Sequence, residues 1–166
     1  MISINLLSRT NLKPIALALP QDLAKVLHPL DAHRVDVLQA NIQFYWKNDR
    51  LLSSILAESL PARSRERISG SFCIHPKFHT LSGVLTQLVA FAREYDVEVY
   101  GYLERENGVY SIIANRGEKT SAPTTNNNAT FHTHPEGHDH KYSYNDLVSF
   151  VGSNFTMFDI IVSSKG

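Results

Sequence analysis

The residues best able to do chemistry lie in Thr130-Phe131-His132-Thr133-His134-Pro135, followed by Ser143-Tyr144-Asn145-Asp146. On a strand, His132 and His134 at i and i+2 point to one face. Their imidazoles can then converge on one zinc ion at about 2.0–2.1 Å. Asp146 supplies a third ligand. Three protein ligands leave a fourth position for water, the arrangement of a catalytic rather than a structural site. Upstream, Glu98 alternates with Val97 and Val99 and so faces away from their apolar side. A carboxylate there can serve as general base toward a zinc-activated water. Ser143 Oγ can donate a hydrogen bond to the oxyanion that forms when a carbonyl is attacked.

Each of these residues also has a plainer reading. A His-x-His pair can be an exposed strand face. Ser143 is a natural N-cap, Asp146 in the first helical turn is favoured by the helix dipole, and Ser-x-x-Asp has the form of a loose capping box. Glu98 can be an exposed strand carboxylate paired with a lysine or arginine. Capping accounts for Ser143 and Asp146 but not for the His-x-His-Pro just before them. A metal site uses all four features at once and is preferred.

The elements that must position these residues follow from periodicity. Residues 71–74 read as a short strand. Leu81, Val84, Leu85, Leu88, Val89 and Ala92 form a helical stripe. Residues 97–103 alternate, 109–114 are β-rich, and Asn107-Gly108 between them signals a hairpin. Residues 117–129 form a polar loop that includes Asn126, Asn127 and Asn128. Residues 129–134 make the ligand strand, which Pro135 ends. Ser143 opens a helix with Leu147, Phe150 and Val151 inward, and 158–163 form a last strand. Strand, helix, two strands, loop, strand, helix, strand is the order of an α/β sandwich.

Residues 1–70 read differently, as a mainly helical N-terminal segment docked on a 71–166 domain. Leu23, Val26, Leu27 and Leu30 have helical spacing, Asp31 can cap a second helix carrying Val35, Leu38, Ile42 and Tyr45, and Leu51, Leu52, Ile55 and Leu56 suggest a third. Tyr45 and Trp46 are expected in the core or an interface of this segment. Residues 61–70 look like a linker or exposed turn.

Lys plus Arg and Asp plus Glu are 16 each among 166 residues, so bulk charge advertises no nucleic-acid or anionic-membrane partner. One cysteine, Cys73, excludes an internal disulfide framework and a cysteine-rich zinc site. It also fits a reducing, cytoplasmic setting. No apolar run approaches the roughly 20 residues of a membrane span, and residues 15–19 are too short for a signal peptide.

Glu98, His132-Thr133-His134-Pro135 and Ser143-x-x-Asp146 together resemble the JAMM (MPN-plus) metalloprotease family. The resemblance covers roughly residues 72–164. Residues 98–103 look like the family's glutamate strand, and 158–164 are similar to the strand after its ligand helix. It implies a JAMM-like (cytidine-deaminase-like) α/β sandwich, with His132, His134 and Asp146 on Zn2+, and Glu98 and Ser143 catalytic. It further implies hydrolysis of a peptide or isopeptide bond at the C-terminus of ubiquitin or a ubiquitin-like, β-grasp protein. The polar loop at 117–129 lies where ubiquitin-directed members hold an extended substrate tail, and an idle surface loop is an equal alternative for it.

The chain departs from the pattern in three places. Eleven residues separate His134 from Asp146, one more than expected. That loop holds a second pair, His138 and His140, read as solvent-facing. The chain stops just after the last strand, where the family continues with more sheet, and a missing strand would leave an open edge. The competing reading is a non-catalytic MPN-type scaffold in a larger complex. Such scaffolds lack one or more ligands, and this chain keeps the full set. A deaminase would need Cys ligands that Cys73 alone cannot supply, and no G-x-S-x-G supports a serine nucleophile.

Overall fold

A computed structural model of the protein describes residues 2–9, 12, 36–59, 70–74, 80–106, 109–118, 122, 127–134, 143–153 and 156–164. Seven strands and three helices occur among them. The strands are β1 (Ile2–Ser8), β2 (Asp36–Asn41), β3 (Phe72–Ile74), β4 (Val99–Glu106), β5 (Val109–Arg116), β6 (Ala129–His134) and β7 (Phe158–Ser164). The helices are α1 (Ile42–Ser59), α2 (Leu81–Tyr95) and α3 (Tyr144–Gly152). All strands join one sheet in the order β2-β1-β7-β6-β4-β5-β3. Only β6 and β7 pair in parallel.

Alternation along the strands gives the sheet two different faces. Ile4 and Leu6 of β1, Phe131 of β6, and Phe158, Ile160 and Val162 of β7 point one way into the main core. There they meet Tyr45, Leu52 and Leu56 of α1 and Leu81, Val84, Leu85 and Leu88 of α2. The other face is covered in part by α3, whose Leu147 and Phe150 pack on Leu7, Val37 and Ile161. Among the described residues, the sheet therefore lies between two helices on one side and one short helix on the other. Burying each large side chain contributes about 1.5–3 kcal/mol, so the core far outweighs any single polar contact.

Local chemistry explains the helix ends. Thr80 Oγ1 accepts from Gly83 N at 3.1 Å and caps α2. Asp96, at φ 49°, ends that helix in the left-handed conformation. Asp49 of α1 is buried and accepts from Ser82 N and Ser82 Oγ at 3.2 and 2.7 Å. That ties α1 to the first turn of α2.

The α/β class and the order of elements from β3 to β7 match expectation. Among the described residues of the N-terminal segment, Ile42–Ser59 is helical, whereas Ile2–Ser8 and Asp36–Asn41 are strands where helix or no element was expected, and strands from both sides of residue 70 share the sheet. Leu38 belongs to a strand rather than to a helix with Ile42 and Tyr45. Asn41 Oδ1 accepts from Phe44 N at 3.1 Å, so the helix is capped and begins there. The two expected helices over 31–45 and 51–59 are thus one strand followed by one continuous helix. The stripe at 23–30, the Asp31 cap, and His138 and His140 lie outside the described residues. Most of the 61–70 turn and of the 117–129 loop does too. Tyr45 is buried, but Trp46 is 42% exposed. Strand β1 pairs antiparallel along β7 from Ile2↔Ser164 to Ser8↔Phe158, so β7 is not an open edge.

Gly101 sits in β4 where it pairs with both Ala114 and Phe131. A Cβ there would collide with the backbone carbonyl of Ile113, which cannot swing aside as a flexible side chain could. Gly101→Ala should destabilise the fold by about 1–3 kcal/mol, the cost of overpacking. Gly152, at the end of α3, faces open space. Gly152→Ala should be neutral or stabilise by about 0.5–1 kcal/mol. Denaturant midpoints of the two variants check this, and a neutral Gly101→Ala would contradict the close strand approach.

Candidate metal centre

Strand β6 delivers the two histidines. Its burial alternates, with Ala129, Phe131 and Thr133 buried and Thr130, His132 and His134 less so. Thr133, between the histidines, points into the core side, where its Oγ1 accepts from Val99 N at 2.9 Å. This bond extends the β4–β6 pairing, in which Tyr100 lies opposite His132. His132 and His134 are therefore fixed on the α3 face.

Helix α3 delivers Asp146. Ser143 Oγ accepts from Asp146 N at 3.1 Å, and Ser143 N donates to Asp146 Oδ2 at 2.7 Å. This is a full capping box, and it fixes the Asp146 carboxylate at the helix start. The far end of the helix is held by Arg9, just past β1. Its guanidinium donates to the carbonyls of Phe150 at 2.7 Å and Val151 at 3.0 Å, and also to Ser153 O and Thr156 O at 2.5 and 2.9 Å. It also lies over the Phe150 ring, 5.1 Å from the centroid. A cation on the last carbonyls of a helix stabilises that end.

These supports bring the three candidate ligands together. His132 Nε2 and His134 Nε2 are 3.2 Å apart. Asp146 Oδ1 lies 3.1 Å from His132 Nε2, and Asp146 Oδ2 lies 3.4 Å from His134 Nε2. Ligands about 2.0–2.1 Å from a tetrahedral zinc stand roughly 3.3–3.4 Å from one another by geometry. The observed spacings are of that order, with each histidine facing a different oxygen of the carboxylate. The group could hold a metal ion, and two imidazoles with one carboxylate suit zinc.

Glu98 is not part of this group. It lies one residue before β4, whose pairing with β6 begins at Tyr100↔His132. It is buried, 6% exposed, which overturns the reading of an exposed strand carboxylate. Gly117 N donates to Glu98 O at 2.7 Å, and Glu98 N donates to Glu118 O at 3.0 Å. Two residues thus oppose one, the count of a β-bulge, a device that re-aims side chains near active sites.

Two further side chains, Asp159 and Thr130, were not singled out from sequence. Asp159 Oδ1 lies 3.8 Å from His132 Nδ1 and accepts from Thr130 Oγ1 at 3.0 Å. Their one local signal is an acidic residue inside the apolar run 158–162.

The electrostatics follow from this crowding. Burial pulls the His132 pKa down, but the Asp146 and Asp159 carboxylates outweigh it and push it up to about 10. Burial raises the Asp146 pKa, while hydrogen bonds from His132 and His134, the His132 charge and Ser143 N together hold it far below the ordinary carboxylate range. Without metal, the pair is ionic at neutral pH. The His132 share of stability is fully present below the unfolded value near 6.5 and is lost as pH rises through about 10. The Asp146 share is present above about 3.8 and is lost as pH falls through its lowered pKa.

Comparison with protein-family models, with curated proteins and with solved structures returns no match. No helix among the described residues is long and apolar enough to cross a membrane.

Zinc must displace the His132 proton to use its Nε2 lone pair. Uptake at pH 7.5 should therefore release about one proton per site. Calorimetric titration in two buffers of different ionisation enthalpy reads this number, and a value near zero would mean that His132 is already neutral in the free protein.

Proposed function

We propose that the protein is a zinc-dependent metallopeptidase of the JAMM type, cleaving a peptide or isopeptide bond at the C-terminus of a ubiquitin-like, β-grasp protein. One observation carries the reading: two imidazole nitrogens and a carboxylate, from β6 and the start of α3, brought close enough together to share one metal ion. Glu98, buried and two residues before Tyr100, the strand neighbour of His132, is the candidate for the base that such chemistry needs. The substrate class rests on the resemblance in the sequence alone.

When bound, zinc supplies an activated water and a polarised carbonyl. His132, His134 and Asp146 hold the ion. Glu98 takes the proton of the attacking water and passes it to the leaving amine. Ser143 Oγ spends a lone pair on the helix cap, which leaves its O–H to donate to the tetrahedral oxyanion. Capping and catalysis are therefore compatible roles for one hydroxyl. A non-catalytic scaffold finds no particular support, since every group the reaction needs is present.

Metal content and cleavage of ubiquitin-like fusions test the reading together. The purified protein should carry about one zinc per chain, and His134→Ala should abolish it. Glu98→Gln should keep the zinc and lose at least about a hundredfold in kcat, the usual worth of a general base. Zinc retained by His134→Ala would break the ligand assignment, and full turnover by Glu98→Gln would remove it as base. Ser143→Ala should lower kcat with zinc retained, and should cost about 1 kcal/mol through the lost cap. A normal rate with only the stability loss would leave Ser143 a cap and nothing more.

A further inference from the structure

We propose that Asp159, anchored by Thr130, is a positioning residue that orients His132 for metal binding. The proposal rests on the reading of His132, His134 and Asp146 as ligands.

The His132 ring sits between two sets of acceptors. Its Nε2 faces His134 and Asp146, and its Nδ1 faces Asp159. A neutral imidazole carries one proton. If Nε2 gives its lone pair to a metal, that proton must sit on Nδ1, the edge turned to Asp159. A carboxylate there favours the Nδ1–H form, fixes the ring plane and raises the basicity of the ligating nitrogen. A 180° ring flip would turn carbon toward both sets of partners and lose both attractions. The 3.8 Å separation is longer than a hydrogen bond and marks attraction between charges. A closer approach of roughly half an ångström would make it one.

Asp159 is placed for this task by the sheet. It lies beside Thr130 in the parallel β6–β7 register and beside Leu7 in the β1–β7 register. It is 7% exposed, on a strand whose neighbours Phe158, Ile160, Ile161 and Val162 are fully buried and apolar. A buried carboxylate is costly unless its partners compensate. Those seen here are the Thr130 hydroxyl at 3.0 Å and the His132 ring. Thr130 Oγ1 also lies 3.5 Å from Phe158 O, so its side chain is directed along β7 toward Asp159. Thr130 holds the carboxylate, and the carboxylate holds the ring.

The test compares wild type with Asp159→Asn, Asp159→Ala, Thr130→Val and Asp146→Ala. The zinc dissociation constant is read by competition with a chelator. Ring 15N spectra of His132 report the tautomer, and circular dichroism of the metal-free proteins reports folding. Loss of a group that orients a metal ligand weakens metal binding by about 10–100-fold. Asp159→Ala should lose that much, Asp159→Asn less because its amide oxygen still accepts, and Thr130→Val a few-fold. The His132 Nδ1–H signal should weaken in the same order. Wild-type affinity and an unchanged ring signal in all three variants, with Asp146→Ala losing zinc, would overturn the role of Asp159 while leaving the metal site standing. A wild type that rejects zinc would overturn both. If Asp159→Ala does not fold, Asp159→Asn and Thr130→Val decide by the same readings.

Discussion

Strand β6 must serve two environments at once, and the site depends on that double duty. Phe131 and Thr133 point into the side of the sheet packed by α1 and α2, and His132 and His134 point to the opposite side. The period of a strand is two, so a slip of one residue would bury both imidazoles in the apolar core and expel Phe131. The register is held from both sides. Thr133 Oγ1 accepts from Val99 N beside the β4 pairing, and β7 runs parallel along the whole of β6. The core thereby supplies the accuracy that the polar face needs.

Asp146 depends on a different kind of support. Helix α3 has nine residues, and a helix that short is marginal by itself. Three contacts fix it: the capping box at its start, Leu147 and Phe150 against the sheet, and Arg9 on its final carbonyls. Arg9 comes from the other end of the chain. The position of a candidate ligand is thus set in part by a residue that shares no local sequence with it.

That mixture of local and distant causes decides what could be read from the sequence. The α2 stripe, the hairpin from Val99 to Arg116 and the His-x-His strand were legible because each signal is local. Ser143 and Asp146 were legible as a cap and as a ligand, and the geometry accommodates both. Strand β1 was not legible, because Asn5 and Leu7 are buried as well as Ile4 and Leu6, and a strand covered on both faces loses its alternation. Strand β2 was misread because Leu38, Ile42 and Tyr45 have helical spacing by coincidence, with the true cap at Asn41. Asp159 had no local signature of its task, since its ring partner arrives from another strand. The burial of Glu98 likewise depends on neighbours brought by the fold.

The place of β1 bears on how the sheet closes. Among the described strands it comes first in sequence, yet one of its two neighbours is β7, which comes last. Pairing with β2 involves nearer residues and forms a two-stranded unit, which is marginal in water. One long edge of β1 is covered only when β7 joins it. Closure of the sheet joins β1 to β7, sets β7 beside β6, and brings Asp159 to His132 in the same event. The frame that aims the two histidines therefore depends on a pairing between strands far apart in the sequence, and not only on the segment that carries them.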